Sequence, residues 1–142
     1  MVTILIVDDE ANIRKFAAAN LMRRGYHVVE AGDAEDGLER LRVHSPAYAN
    51  AGVILLDIKL PGMSGWNLLE AMAKDPDVIQ NVPVVIMTAS VTDANISTAN
   101  YPNVIEVLVK PVSTNQLIRA VQNASTKVSD KEASYVEYPR RR

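Results

Sequence analysis

Five times along this chain a short apolar run gives way to a stretch with helical periodicity, and that alternation narrows the possible folds more than any other feature. Thr3–Val7 is compact, β-branched and closed by acids, so it reads as a buried strand. Ala11–Arg24 follows with Ile13, Phe16, Ala17 and Leu21 at helical spacing, and the basic pair Arg23-Arg24 and then Gly25 mark its end. Tyr26–Ala31 is a second strand, and Asp33 caps a helix reaching about His44 with Leu38 and Leu41 facing inward. After a loop over Pro46–Gly52, Val53-Ile54-Leu55-Leu56 forms the most apolar strand and ends in Asp57. The turn IKLPGMSG leads to a helix capped by Ser64, carrying Trp66, Leu69, Met72 and Ala73 and closed by Asp75-Pro76. Pro83–Met87 is the fourth strand, ending in Thr88, and Thr92–Asn100 reads as a weak, polar helix broken by Pro102. Val104–Val109 is the fifth strand, ending in Lys110-Pro111, and Ser113 with Gln116 forms a capping box for a last helix with Leu117, Ile118 and Val121 inward. Apolar strands alternating with helices imply a parallel sheet covered on both faces, and right-handed crossovers make it doubly wound.

The 142 residues suit one domain with a real core, and 48% hydrophobic with 23% charged residues is ordinary for a globular protein. A formal net charge of −2 gives no footprint for bulk nucleic-acid or anionic-membrane binding. The absence of cysteine excludes disulfides, thiolate metal sites and cysteine nucleophiles. The N-terminus has no signal-peptide pattern, and no apolar run approaches the roughly 18 residues needed to span a bilayer. A soluble, cytoplasmic protein is expected.

In an open parallel sheet, ligands bind outside the carboxyl ends of the strands. There this chain gathers Asp8 and Asp9 from the first strand, Asp57 from the third, Thr88 from the fourth and Lys110 from the fifth. The second strand ends in nothing notable. Adjacent carboxylates repel, and a divalent cation relieves that repulsion. Hard oxygen donors without His or Cys favour Mg²⁺ over Zn²⁺. A lysine supplies a compact charge for a phosphoryl group, a threonine hydroxyl can donate to one of its oxygens, and a carboxylate can act as nucleophile. Together these are the parts that in-line phosphoryl transfer needs.

The set VDDE, LLDIKLPGMSG, VVIMTAS and LVKP closely resembles the receiver domain of two-component response regulators, over about residues 3–124. Each piece alone is a weak motif; in this order, each closing a strand, they are specific. The resemblance implies a flavodoxin-like three-layer (βα)5 sandwich with strand order 2-1-3-4-5, as in flavodoxins and chemotaxis regulators. It implies that Asp57 accepts a phosphoryl group from a histidine kinase's phosphohistidine. Asp8, Asp9, Asp57 and the backbone carbonyl of Lys59 would hold Mg²⁺, with Asp9 the more direct of the acidic pair. Thr88 would be the switch hydroxyl, Ala89 the small neighbour that leaves room, and Lys110 the partner of the phosphoryl group, next to a cis bond to Pro111. Lys59 and Ser90 would flank the path of the attacking water and tune the lifetime of the phosphoryl group.

The sequence departs from the family at Val107, where an aromatic residue often reports phosphorylation. A β-branched side chain has few rotamers to switch between, so the signal is expected to run through the loop after Thr88 or the polar helix beyond it. The usual dimer and partner face, formed by that helix, the fifth strand and the last helix, offers Asn95, Ile96, Tyr101, Gln116, Arg119 and Gln122. It lacks the dense charge of the DNA-binding subfamily, so a monomer or weak dimer is expected.

Simpler roles are preferred for several residues. Glu10 suits a helix N-terminus, where the dipole favours an acid. Trp66 is a packing residue, His27 and His44 are ordinary surface or strand residues, and Arg140–Arg142 belong to a solvated tail. GMSGW is no nucleophile elbow, because Trp66 stands where a glycine is needed. No phosphate-binding glycine loop and no DNA-reading module is present.

The expected organisation is a receiver over residues 1–124 with a polar tail over 125–142. Its partners would be a sensor histidine kinase or histidine phosphotransfer protein and an unidentified downstream protein, with no direct nucleic-acid or membrane contact. A stand-alone switch is the leading reading; alternatives are the receiver of a longer transcription factor or enzyme, and a haloacid-dehalogenase-type phosphohydrolase. The last class carries D-x-D after its first strand, unlike the adjacent Asp8-Asp9 here.

Overall fold

Each of the five apolar runs becomes a parallel strand. The structure, a computed structural model, describes residues 2–43, 52–60, 62–74, 82–89 and 101–125. The expected loop over Pro46–Gly52 lies outside the described residues except for Gly52, which begins the third strand, and the expected tail over 125–142 lies outside them except for Ser125, which ends the last helix. The helix end at Asp75-Pro76, the polar helix Thr92–Asn100 and the positions His44, Ser90, Asn95 and Ile96 also lie outside the described residues. The elements are β1 (Thr3–Val7), α1 (Ala11–Arg23), β2 (His27–Ala31), α2 (Ala34–Val43), β3 (Gly52–Asp57), α3 (Gly65–Ala73), β4 (Val84–Thr88) and β5 (Val104–Val109). A last helix, α4, covers 114–125.

The sheet order is β2-β1-β3-β4-β5, all neighbours parallel. This is the doubly wound order expected from the sequence. Side chains alternate across a strand, so each central strand feeds both faces. Leu5 and Val7 with Ile54 and Leu56 pack under α2 and α3, against Leu38, Leu41, Leu68 and Met72. Ile4 and Ile6 with Val53 and Leu55 pack under α1 and α4, against Ala17, Leu21, Leu117 and Val121. Each fully buried Leu or Ile stabilises the fold by roughly 1.5–3 kcal/mol. The result is a three-layer sandwich whose strand ends are held by two cores.

Local chemistry fixes the helix ends. Beyond α1, Gly25 has φ +89° and donates to the Met22 carbonyl, while the Tyr26 amide bonds to Leu21. That pair of bonds is a Schellman stop. Ser64 and Asn67 form a reciprocal capping box at α3, and Ser113 and Gln116 do the same at α4.

Two helix faces differ from the sequence reading, and the sheet carries one irregularity. Phe16 is 43% exposed, and Ala18 takes its place on the inner face of α1, where the small Ala17 and Ala18 pack beside Leu21. On α3 the inward residues are Gly65, Leu68, Leu69 and Met72, with Trp66 half-buried and Ala73 exposed. A register shift at Val84/Val85 sets Val104 opposite Val84 but Glu106 opposite Val85. This irregularity places Val107 against the α2–α3 core and Val109 opposite Thr88.

Candidate functional site

Four strand ends meet on the carboxyl rim, and Lys110 ties two of them together. Its Nζ donates to Asp8 Oδ2 at 2.9 Å and to Asp57 Oδ2 at 3.1 Å. The lysine side chain is 13% exposed, Asp8 is fully buried and the Asp57 side chain is 7% exposed. Glu10 lies farther from the ammonium, at 3.9 Å.

Each group is also held by its own strand. The Asp8 amide continues the β1–β2 ladder to the Ala31 carbonyl, and Asp8 Oδ1 accepts the Glu10 amide at 2.9 Å. Asp57 ends β3, and its Oδ1 accepts the Lys59 amide at 3.1 Å. Thr88 is fully buried, and its carbonyl accepts the Lys110 amide at 2.7 Å, which joins the ends of β4 and β5. Ala89 is exposed beside it, Lys59 is exposed, and the Lys110–Pro111 peptide is cis.

Sequence reasoning missed Gly65. The Gly65 amide donates to the Ile58 carbonyl at 2.9 Å, and a Cβ at this position would stand 2.6 Å from the Asp57 carbonyl oxygen and 2.8 Å from Ile58 Cα. The first residue of α3 is thus pressed onto the backbone that carries Asp57. A glycine directly after the capping Ser64 was the available signal. The second strand end was also undervalued: Glu30 accepts from Arg14 and Lys15 of α1.

Burial pushes the Asp57 carboxyl above its ordinary value; Lys110 opposes this by hydrogen bond and charge, and Asp8 adds to the rise. For Lys110 burial acts in the lowering direction, but the bonds and charges of Asp8 and then Asp57 outweigh it, so the ammonium is held protonated. One ammonium thus lies against two buried carboxyl groups.

The acids suit a hard divalent cation. Among the described residues, carboxylate oxygens of Asp8, Asp9 and Glu10 all lie within 4.8 Å of one another, with Asp9 and Glu10 exposed. Oxygen donors without imidazole or thiolate match Mg²⁺. Glu10 occupies the N-cap position of α1, yet its side chain makes no capping bond there. Asp57 joins this group through Lys110, which sits between it and Asp8.

Beside Lys110 a groove of about 290 Å³ opens between α1 and the segment after β5, lined by Ile13, Phe16, Pro111, Val112 and Leu117. On the opposite side of the sheet Trp66 stacks on Tyr101, ring centroids 5.9 Å apart, and the Tyr101 hydroxyl donates to Glu70 at 3.2 Å. Trp66 is accordingly a packing residue, as expected. Among the described residues no helix is long and apolar enough to cross a membrane.

A five-stranded doubly wound domain with acids and a lysine converging on its carboxyl rim, beside the end of β4 at Thr88, defines a narrow class. The sequence profile of the response regulator receiver domain matches residues 4–122, and the chain belongs to that family, the receiver domains of two-component signalling. The chain is similar to "Probable transcriptional regulator ycf27" of Guillardia theta, at 35% identity over 129 residues, covering 89% of this chain and 47% of that protein. It is 31% identical to "Transcriptional regulatory protein PdtaR" of Mycobacterium tuberculosis, covering 85% of this chain and 55% of that one. The chain thus spans about half the length of the curated relatives it matches. A crystal structure of a response regulator receiver domain protein from Clostridium thermocellum superposes with TM-score 0.76 at 27% identity, covering 89% of this chain and 96% of the other. Receiver domains generally bind Mg²⁺ at an acidic pocket and interact with histidine kinases and downstream effector domains.

Proposed function

We propose that this chain is a phosphorylation-operated switch in which Asp57 is the acceptor. A carboxylate oxygen of Asp57 attacks the phosphorus of a phosphohistidine. The P–N bond breaks, the imidazole leaves with the bonding pair and takes up a proton, and an aspartyl phosphate remains. The observation that carries this reading is the Lys110 ammonium held between Asp8 and Asp57. It stands where a phosphoryl oxygen on Asp57 would need a positive partner.

Asp8, Asp9, Asp57 and the Lys59 carbonyl would hold Mg²⁺, with Glu10 adjoining the acidic group. When bound, the ion neutralises the crowded carboxylates and polarises the phosphoryl group. Lys110 keeps its bond to Asp8 and exchanges Asp57 Oδ2 for a phosphoryl oxygen. The Thr88 hydroxyl turns toward another oxygen, and the small Ala89 leaves space. Lys59 and Ser90 flank the approach of water and set the lifetime of the phosphoryl group. The added charge shifts a two-state equilibrium toward a partner-binding surface. With Val107 in place of an aromatic reporter, the change travels through the backbone after Thr88.

The phosphodonor is a sensor histidine kinase or a histidine phosphotransfer protein. The apolar groove beside Lys110 gives such a donor a place to rest while its histidine reaches Asp57. The receiver runs to the end of α4 at Ser125, one residue past the expected boundary, with a linker or tail beyond it. It acts in the cytoplasm, as a monomer or weak dimer through the face carrying Tyr101, Gln116, Arg119 and Gln122. It catalyses only its own phosphorylation and dephosphorylation, and its output is a protein contact. An acyl phosphate is cleaved by hydroxylamine, so mapping the modified peptide tests the assignment. Modification at Asp57 is expected; modification elsewhere contradicts it.

A further inference from the structure

Arg14 is the fourth residue of α1, and side chains on a helix tilt back toward its N-terminus. The guanidinium therefore folds back over the β1–α1 junction. Its Nη1 donates to the Asp8 main-chain carbonyl at 2.7 Å, and its Nε donates to Glu30 Oε1 at 3.3 Å. Glu30 reaches this point because it pairs with Ile6 in the β1–β2 register, on the sheet face that packs under α1. The second Glu30 oxygen accepts Lys15 Nζ at 3.1 Å. The Arg14 side chain is only 19% exposed, so it has exchanged much of its water for one carbonyl and one carboxylate.

The peptide group is planar, so a bond that fixes the Asp8 carbonyl also fixes the direction in which the chain leaves toward Asp9. Asp8 is held at its amide by Ala31, at Oδ1 by the Glu10 amide and at Oδ2 by Lys110. The Glu10 bond closes a turn across the Asp8–Asp9 peptide, and the Arg14 bond holds the carbonyl oxygen of that same peptide directly. Asp9 is exposed, and its placement rests on the backbone before it.

We infer that Arg14, oriented by Glu30, is a positioning residue that sets the spacing of the Asp8 and Asp9 carboxylates for a divalent cation. This rests on the reading of the rim as a Mg²⁺ site. Outer partners of metal ligands commonly change affinity by about 10-fold to 100-fold when removed.

The test is a Mg²⁺ titration of the full chain, followed by amide shifts, in wild type, Arg14→Met, Arg14→Lys, Glu30→Gln and Lys15→Met. Arg14→Met is expected to weaken Mg²⁺ about tenfold, with Arg14→Lys and Glu30→Gln in between. Lys15→Met also removes an α1–β2 tether to Glu30 but does not touch Asp8, so it should leave the affinity unchanged. A second readout needs no metal: the Glu10 amide should exchange faster in Arg14→Met, because its acceptor on Asp8 loosens. Unchanged Mg²⁺ affinity in folded Arg14→Met overturns the inference, as does an equal loss in Lys15→Met. If wild type binds no Mg²⁺, the reading of the rim fails, and the amide alone decides whether Arg14 positions this junction: faster exchange upholds it and unchanged exchange overturns it.

Discussion

Lys110 and Asp57 are 53 positions apart in the chain, yet the lysine Nζ donates to Asp57 Oδ2 at 3.1 Å. The fold brings them together by ending β3 and β5 on one rim, and both side chains are largely withdrawn from water. Their pairing joins the ends of two strands across the rim.

Removing the lysine leaves two buried carboxylates without their cation. Lys110→Met is expected to destabilise the metal-free protein by roughly 3 kcal/mol at neutral pH, within the range for breaking a buried ion pair. Urea unfolding measures this. Mg²⁺ should restore part of the loss, and acidification should shrink it, since protonated acids no longer need the partner.

The Asp57 carboxyl is raised above its ordinary 3.8, first by burial. The ionised form is thus disfavoured by the fold. This group's contribution is most favourable below its unfolded value, declines as pH rises through the folded value, and is level above it. Asp57→Asn should therefore be more stable than wild type at neutral pH, with the advantage vanishing below the ordinary carboxylate value. Lys110 is raised from 10.5, so its contribution is intact below that pH and is lost as pH climbs through the folded value. Melting temperatures of both proteins across the pH scale check the two signs.

Binding of Mg²⁺ to the folded state alone raises stability by about 1.4 kcal/mol at ten times the dissociation constant. Asp9→Asn should abolish that increment. It should leave the metal-free protein at least as stable, because it removes one of three crowded charges from an exposed position. A thermal-shift series with and without Mg²⁺ reads both effects.

Gly65 allows α3 to start against the Asp57 backbone. A methyl there would meet the Asp57 carbonyl oxygen at 2.6 Å. Gly65→Ala should gain about 1 kcal/mol in helix propensity and lose more to overpacking, a net destabilisation of roughly 1–2 kcal/mol. Displacing Asp57 should also slow phosphorylation by acetyl phosphate.

Phe16 is exposed on the groove beside Lys110 and contributes little to the core. Phe16→Asp should slow transfer from a histidine kinase by about tenfold, the effect of losing roughly 1.4 kcal/mol of docking. The rate with acetyl phosphate, which needs no docking surface, should stay the same. Parallel time courses with the two donors separate docking from chemistry.

The sheet was legible because four of its five strands are apolar runs with a polar stop, β2 being the exception. The same stops, Asp8, Asp57, Thr88 and Lys110, marked the rim on which the structure brings them together. What escaped the sequence depends on relations between elements. Arg14 and Glu30 meet only because β2 pairs with β1 in a register that turns Glu30 under α1. Phe16 fits the helical period, but an alanine stripe beside it packs closer to the sheet and leaves the ring outside. The shift at Val84/Val85 leaves no mark in a run of β-branched residues, where either register looks equally apolar. Gly65 reads as turn chemistry until its distance to Asp57 is known.

The most direct test of the switch is intact mass after incubation with acetyl phosphate, with and without Mg²⁺, for wild type and Asp57→Asn. The account predicts one added phosphoryl group, dependent on Mg²⁺ and absent from the variant. An adduct that persists in Asp57→Asn, or none on a folded wild type supplied with Mg²⁺ and with a phosphorylated histidine kinase as donor, would contradict it.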